Sequence, residues 1–222
     1  MKKQRYFIKI TNYLCFFVFF AVLTDICLAN GESACIKYDD VKGSGNYPYN
    51  FRDIDNRLFA GGSLFNPVSK SNSDEKVVEY LRLLKSKGVS SILLLHVPLK
   101  DSFTPRLELL CEKEKLKLIK MRMNAEQVPN EEQTKLIMEA IDSGTYAHCM
   151  WGCDRTGAII GKYLRTKGYT GREALEAIVN NGSHSGKLGG FKKKSGNRNL
   201  LLYFWPEVAS ESPCIYQEFL SR

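Results

Sequence analysis

The sequence predicts an α/β domain with a mostly parallel central sheet flanked by helices. Short apolar segments typical of buried strands alternate with amphipathic segments typical of helices over residues 51–182, and this alternation is characteristic of βαβ units. The most distinctive segment of the chain, residues 148–157, follows one such strand directly. Parallel sheets bind ligands at the carboxyl ends of their strands, so the expected fold and the expected site agree.

The first 29 residues have the layout of a secretory signal peptide. A basic stretch from Lys2 to Lys9 precedes an unbroken apolar run of eleven residues, Tyr13 to Leu23, and Ala29 offers a plausible cleavage point. Eleven apolar residues are fewer than the roughly 20 that a membrane span requires. We therefore expect an exported protein, secreted or periplasmic, which would be membrane-anchored if the segment stayed uncleaved.

The mature chain has the size of one domain. Cleavage leaves 193 of the 222 residues and lowers the net charge from +8 to +5, because the removed segment carries four basic residues and one acid. We expect a flexible polar lead-in over residues 30–50 and a single domain over residues 51–222. The moderate positive charge predicts acidic substrates or an acidic membrane surface as partners, and we expect no nucleic-acid partner.

The first predicted elements are two strands with a helix between them. Residues 58–60 predict a short edge strand that two glycines end. A helix capped by Ser73 follows and ends at Gly88. The apolar run within residues 89–97 predicts a strand that is buried on both faces.

The middle of the chain predicts a helix, a strand and a second helix. The first helix opens with Pro105 at its first position. Residues 116–123 mix apolar and basic residues and predict a strand. Asn130, with Gln133 three residues later, predicts a capped helix that continues to Gly144.

Three elements surround and follow the distinctive segment. Residues 145–148 predict the strand that leads into it, and residues 156–166 predict the helix that leaves it. Thr170 and Glu173 predict a capping box for one more helix, which ends at about Asn180.

The segment from His148 to Gly157 has the composition of a cradle for a tetrahedral oxyanion. A loop that closes onto a helix N-terminus turns its backbone N–H groups inward, where they bind anions and favour a thiolate at Cys149. Arg155 can bind two phosphate oxygens with its planar fork, and Thr156 can donate its hydroxyl hydrogen to Cys149. His148 is expected to orient the loop by hydrogen bonding. The residues expected to contact phosphate are Met150, Trp151, Gly152, Cys153, Asp154 and Arg155.

Cys149 and Arg155, followed by Thr156, match the Cys-x5-Arg-Thr/Ser signature of the cysteine-dependent protein tyrosine phosphatase superfamily. With His148 and Gly157, the segment resembles the form found in dual-specificity-like phosphatases. This resemblance implies a protein-tyrosine-phosphatase-like fold for the phosphatase domain at residues 51–222. It also implies a phosphocysteine intermediate at Cys149 that water then hydrolyses.

We expect neither a metal ion nor another cofactor. The three histidines, His96, His148 and His184, are scattered along the chain, and the spacing of Cys149 and Cys153 is not typical of a zinc site.

Three carboxyl groups are candidates for the general acid that protonates the leaving oxygen. In many relatives, as the resemblance implies, this acid is an aspartate on the loop after the preceding strand, but residues 124–129 contain no aspartate. Asp154 is the first candidate, because Asp-Arg-Thr resembles lipid phosphatases of the myotubularin kind, in which the loop aspartate is thought to be the acid. Glu126 lies in the expected loop, and Asp101 follows an earlier strand. The alternative role of Asp154 is to pair with a basic neighbour and shape the loop.

The remaining cysteines allow two further expectations. Cys153 either fills the back of the loop or protects oxidised Cys149 by forming a disulfide with it. Cys35 and Cys214 lie near the two ends of the mature domain and are candidates for a disulfide.

The substrate class stays open at this point. The absence of lysine within the loop of residues 149–155 favours phosphorylated proteins, with phosphotyrosine, phosphoserine or phosphothreonine, since several lipid phosphatases carry a lysine there. The basic, glycine-rich segment 186–194, with Arg198, favours a phosphoinositide or inositol phosphate, or it is a solvated loop. A catalytically weak phosphate-binding adaptor is the alternative from another class, and a sulfur-transfer role is a third, although nothing in it requires Arg155.

Overall fold

The computed structural model describes residues 43–95, 102–124, 126–180, 183–184, 187–188 and 190–220. The expected signal peptide lies outside these residues, as do Cys35, His96 and Asp101. The predictions that concern them therefore stay predictions. Among the described residues, none of the helices combines the length and the apolar character that a membrane crossing needs.

A five-stranded sheet forms the centre of the domain, where the sequence predicts a mostly parallel sheet. Its strands in chain order are β1 (Arg52–Asp53), β2 (Leu58–Gly61), β3 (Ser91–Leu94), β4 (Lys117–Lys120) and β5 (Thr145–His148). They lie side by side in the order β1-β2-β5-β3-β4. All neighbouring pairs are parallel except β1 with β2. The predicted α/β class is confirmed, and β5, which leads into the distinctive segment, is the central strand.

Eight α-helices accompany the sheet within the described residues. They are α1 (Asp74–Ser86), α2 (Phe103–Lys113), α3 (Glu131–Asp142), α4 (Asp154–Thr166), α5 (Gly171–Asn180), α6 (Arg198–Phe204), α7 (Val208–Glu211) and α8 (Pro213–Glu218). A 3-10 turn at Ser195–Asn197 precedes α6, and a two-stranded antiparallel ribbon, β6 (Ser183–His184) with β7 (Lys187–Leu188), follows α5.

The two faces of the sheet belong to two separate hydrophobic cores. Alternate residues of a strand point to opposite faces, and Phe59, Ile92 and Tyr146 pack in the core that contains the buried residues of α1 and α2. Their neighbours in sequence, Ala60, Leu93 and Ala147, pack in the core formed with α3 to α7. The central strands are therefore covered by helices on both sides.

The local start signals of three helices are confirmed. The Ser73 side chain accepts from the backbone of α1, and Asn130 forms the predicted capping box with Gln133 at the start of α3. The Thr170 hydroxyl oxygen accepts from Glu173 N at 3.2 Å, and the Glu173 carboxylate accepts from Thr170 N at 2.7 Å. These signals are reliable because both partners lie within one turn of the chain.

Two predicted strand and helix positions are wrong in detail. Residues 58–61 do not form an edge strand, because Arg52–Asp53 pair with them in antiparallel orientation and take the edge. The second helix begins at Phe103, so Pro105 occupies its third position. Proline is still tolerated there, since the first four N–H groups of a helix have no intrahelical acceptor.

The lead-in that the sequence predicts through residue 50 ends earlier in the structure. Tyr49 and Asn50 are both 0% exposed and belong to the folded domain. Tyr49 O accepts from Gly62 N at 2.7 Å, which joins this segment to the end of β2. Polar composition suggested a mobile segment, but the tertiary contacts of these two residues make it part of the core.

Candidate active site

Residues 149–153 form a loop between the carboxyl end of β5 and the first residue of α4. Because β5 lies between β2 and β3, with His148 in register with Gly61 and Leu94, the loop emerges from the middle of the sheet. Helix α4 begins at Asp154, two residues earlier than predicted, so Asp154 and Arg155 lie in its first turn. The loop thus meets the positive end of the helix dipole. We call residues 149–153 the phosphate loop.

Every carbonyl oxygen of the phosphate loop meets a hydrogen-bond donor outside the loop or in the following helix. His148 Nδ1 lies 3.3 Å from Cys149 O, so that an Nδ1–H donates to it. The other donors are Ser63 N to Met150 O at 2.9 Å, Asn50 Nδ2 to Trp151 O at 3.1 Å and to Gly152 O at 3.3 Å, Arg52 Nη2 to Gly152 O, and Gly157 N to Cys153 O at 2.5 Å.

These contacts determine where the amide hydrogens of the loop point. In a trans peptide the C=O and the following N–H point in opposite directions, and the described residues contain no cis peptide. Carbonyls held on the outside therefore leave the N–H groups of residues 150–154 directed to the inside. The result is a concave row of donors, the geometry of an anion-binding nest. The contact of Met150, Trp151, Gly152, Cys153, Asp154 and Arg155 with phosphate stays a prediction, for which this row of donors has the required shape.

Gly152 is required at the tightest point of the loop. Its φ is +71°, a left-handed conformation that residues with a side chain rarely adopt. A Cβ atom built there would also lie within van der Waals radii of the backbone of Gly61 and Gly62. The phosphate loop and the end of β2 are consequently in backbone-to-backbone contact.

Cys149 is buried at the start of the phosphate loop, and the pKa of its thiol is lowered. Its side chain is buried, and burial raises the pKa of the thiol. The positive charge of Arg155, the Thr156 hydroxyl and the backbone N–H groups of Thr156 and Gly152 outweigh burial, so that the pKa lies below its usual value. Thr156 is itself 0% exposed, and its hydroxyl has no oxygen or nitrogen partner within the described part of the chain. The thiolate is its natural acceptor.

Cys153 is also buried, but its pKa is shifted in the opposite direction. Burial raises the pKa of its thiol to about 12. Asn50 Nδ2 lies 3.4 Å from its Sγ, and the sulfur lies 3.5 Å from Trp151 O. These contacts suit a neutral thiol that fills the back of the loop, and the protective disulfide with Cys149 stays a prediction.

The side chain of Asp154 contacts the basic segment. Its Oδ1 accepts from Lys192 N at 3.0 Å, and its Oδ2 lies 3.6 Å from Lys194 Nζ. The side chain is 18% exposed. The residue ranked first as general acid therefore has both carboxylate oxygens engaged, which is the geometry of its alternative role, pairing with a basic neighbour.

The other two candidate acids are placed differently. The Glu126 side chain is exposed and forms no hydrogen bond or ion pair with the described residues, while its backbone N–H donates to Asn124 Oδ1 at 2.8 Å. Asp101 lies outside the described residues. Among those residues, no cluster of three or more His, Cys, Asp or Glu side chains is placed to hold a metal ion.

Sequence reasoning missed three residues that support the loop: Asn50, Arg52 and Ser63. They come from segments about 90 to 100 positions before the loop along the chain, and in sequence Asn50 belonged to an expected flexible segment. The one local signal was Asn50 itself, because asparagine is enriched among residues with positive φ and its φ is 57°.

The domain has the fold of the cysteine-dependent protein tyrosine phosphatase superfamily. The crystal structure of Tk-PTP in its active form superposes with a TM-score of 0.50 at 17% sequence identity, over 70% of this chain and 95% of that one. The predicted resemblance is thereby confirmed at the level of the fold.

Two further solved structures are similar over most of their length. PTPMT1 is 16% identical with a TM-score of 0.49, over 73% of this chain and 98% of its own. P. aeruginosa TpbA, in a complex with pTyr, is 12% identical with a TM-score of 0.47, over 86% of this chain and 96% of its own. No family model matches the sequence, and no curated protein matches it.

Proposed function

We propose that this protein is a cysteine-dependent phosphatase that hydrolyses phosphate monoesters through a phosphocysteine intermediate at Cys149. The observation that carries the proposal is the loop whose carbonyls are all held outward around a buried thiol with a lowered pKa. A site that only bound phosphate would need the inward N–H groups and Arg155. It would not need a thiolate stabilised at the floor of the cradle.

The reaction consists of two displacements at phosphorus. The Cys149 thiolate attacks phosphorus, the bond from phosphorus to the ester oxygen breaks, and the leaving oxygen takes a proton from a general acid. Water then attacks phosphorus of the phosphocysteine and gives up a proton to the same group. The S–P bond breaks, so that the thiolate is regenerated and inorganic phosphate is released. Arg155 and the inward N–H groups stabilise the charge of the equatorial oxygens in both steps.

Phosphorylated proteins are the first proposed substrate class. The reason is the composition of the loop, which lacks a lysine between Cys149 and Arg155. A phosphopeptide brings one phosphate to the cradle, and its charge is matched there by Arg155 and the helix N-terminus.

A phosphoinositide or inositol phosphate is the second candidate, and a specific contact favours it. Asp154 fixes the backbone of Lys192 and pairs with Lys194, so this basic segment is held at the edge of the phosphate loop. The side chain of Lys193 pairs with Glu218 at 2.8 Å. A substrate with several phosphates would gain attraction from this segment that an aryl phosphate would not.

The test of the proposed activity is turnover of an activated aryl phosphate by the purified protein. We expect measurable release of phosphate, complete loss in Cys149→Ser, and a 32P-labelled or mass-shifted enzyme when the reaction is quenched. Cys111→Ala is the matched control, because Cys111 is another buried cysteine but lies in the opposite core, on α2. Phosphate binding without Cys149-dependent turnover would instead establish the adaptor.

The substrate class is decided by a parallel panel of phosphopeptides and inositol phosphates. If the basic segment binds substrate, Lys192→Ala with Lys194→Ala raises KM for the polyphosphorylated compounds by about tenfold, and leaves KM for the aryl phosphate within about twofold. Lys135→Ala, on the exposed surface of α3, is the control for loss of charge alone. Equal effects on all substrates would remove the argument for a polyanion.

A further inference from the structure

Asn50 supports the phosphate loop from behind. Its side chain is fully buried, and one amide group reaches Trp151 O, Gly152 O and Cys153 Sγ, which lie about 100 positions further along the chain. Two of the five outward carbonyls of the loop are therefore held by a single side chain. An amide is the group that can do this, because it presents two N–H donors in a fixed plane.

Arg52, two residues later on β1, brings a positive charge to the same place. Its side chain is 2% exposed, and Nη2 donates to Gly152 O. Burying a guanidinium is costly unless negative charge compensates it. Burial lowers the pKa of Arg52, and the negative charge of a Cys149 thiolate opposes this effect.

The charged and titratable groups that meet at this point come from three elements. Arg155 on α4 and Arg52 on β1 are the cations. In the phosphate loop, Cys149 is the thiol with a lowered pKa, whereas Cys153 is a neutral thiol. Of the neighbouring carboxylates along the chain, Asp53 accepts from Asn56 N at 2.8 Å, and Asp154 is engaged with Lys192 and Lys194. Arg52 thus places a cation in the same buried region as the Cys149 sulfur and the phosphate loop.

We propose that Arg52 and Asn50 are positioning residues of the phosphate loop, and that Arg52 acts as a second cation, behind the loop, which favours the Cys149 thiolate and the bound phosphate dianion. Asn50 keeps the carbonyls of Trp151 and Gly152 outward, so that the next N–H groups stay in the cradle. The inference rests on the proposed phosphatase function for its purpose, but its two measurements do not require turnover.

The first measurement is the pH dependence of iodoacetamide alkylation at Cys149, followed by mass spectrometry. Alkylation follows the thiolate fraction, so its midpoint reports the pKa of the thiol. We expect Arg52→Gln, which can still donate to Gly152 O, to raise this midpoint by about one pH unit. Arg52→Lys keeps the charge and should restore most of the difference. Arg57→Gln is the matched control, because Arg57 is exposed and bonds to Asp142 O, away from the loop.

The second measurement is the affinity for inorganic phosphate, taken by isothermal titration. We expect Arg52→Gln to weaken it by about tenfold. Asn50→Gly tolerates the positive φ of this position and removes only the amide, so it should also weaken phosphate binding. Asn50→Asp has the shape of asparagine but presents an acceptor to two carbonyls, and we expect it to be worse than glycine.

The outcomes separate this inference from the proposed function. If the wild type hydrolyses aryl phosphate while folded Arg52→Gln and Asn50→Gly keep the wild-type midpoint and phosphate affinity, the inference is wrong and the function stands. If no turnover is found but the midpoint and the affinity shift as expected, the inference stands without the function. Should Arg52→Gln fail to fold, the phosphate affinities of Asn50→Asp and Asn50→Gly are compared. If Asn50 only filled space, aspartate would be the milder change, whereas the inference expects aspartate to weaken binding more than glycine.

Discussion

The contact of Asp154 with the basic segment argues against a role for this residue as the general acid. A general acid must present its proton to the leaving oxygen of the substrate. Asp154 instead accepts from Lys192 N and pairs with Lys194, which fixes residues 192–194 beside the loop. Glu126 lies in the loop where many relatives carry the acid, and its side chain has no competing contact within the described residues. We therefore propose Glu126 for proton transfer and Asp154 for holding the basic segment.

Leaving-group dependence tests this division of roles. We expect Glu126→Gln to slow a poor alkyl leaving group by about 100-fold or more, because only such a group needs protonation, and to change an activated aryl phosphate little. Asp154→Asn should affect the two substrates alike. Steady-state kinetics with both substrates give the answer. A selective loss with the alkyl phosphate in Asp154→Asn would return the acid to Asp154.

At the scale of elements, the close approach of β2 to the phosphate loop shapes the site. Gly61 and Gly62 end β2, and Gly152 lies against their backbone. Ser63, immediately after them, donates to Met150 O. The end of β2 and the residue after it therefore fix the position of the phosphate loop and hold one of its carbonyls. Glycine is required where the two backbones meet, because a side chain would not fit there.

Gly152→Ala should therefore be far more damaging than an alanine at another glycine with positive φ. Gly168, after α4, is the matched control, because its φ is +91° and a Cβ there meets nothing within 4 Å. We expect Gly168→Ala to cost about 1–2 kcal/mol of unfolding free energy through backbone strain alone. Gly152→Ala adds a backbone collision, so it should lose more stability and also most of its phosphate affinity. Urea unfolding and phosphate titration measure both, and similar losses in the two variants would contradict this account.

At the scale of the whole molecule, the three C-terminal helices complete the core behind α4 and α5. They follow the last helix predicted from sequence. Trp205 is 1% exposed and packs directly on Gly171 at the start of α5, where any Cβ would collide with the indole. Its Nε1 donates to Glu211 at 2.7 Å. Because α4 packs against both α5 and α6, these helices support the element that carries Arg155.

Trp205→Ala should destabilise the domain without altering the chemistry of the site. Removing a buried tryptophan costs about 3–5 kcal/mol, which urea unfolding can measure. The activity per folded molecule should stay unchanged, since the indole packs on the start of α5 and bonds to Glu211. Leu109→Ala is the control on the surface, because Leu109 is 66% exposed, and we expect it to change the unfolding free energy by less than about 0.5 kcal/mol. A small effect of Trp205→Ala would mean that α6 to α8 are peripheral.

The sequence by itself determined those features whose causes lie within a few residues of one another. The caps at Ser73, Asn130 and Thr170 fixed helix starts, because a capping side chain and its acceptor or donor lie within one turn. The alternation of elements predicted the α/β class, and the spacing of Cys149 and Arg155 predicted the oxyanion cradle.

Only the tertiary structure decided which atoms surround that cradle. Asn50 comes from a segment whose polar composition suggested a flexible lead-in. Arg52 follows it on β1, and the apolar pattern of β2 does not predict that β1 pairs with it. The contacts of Asp154 likewise depend on where residues 192–194 fall. The physical reason is the same in each case. Helix caps and hydrophobic periodicity depend on residues close together in the sequence. The donors that hold the phosphate loop depend on the strand order, which brings together segments about 100 residues apart.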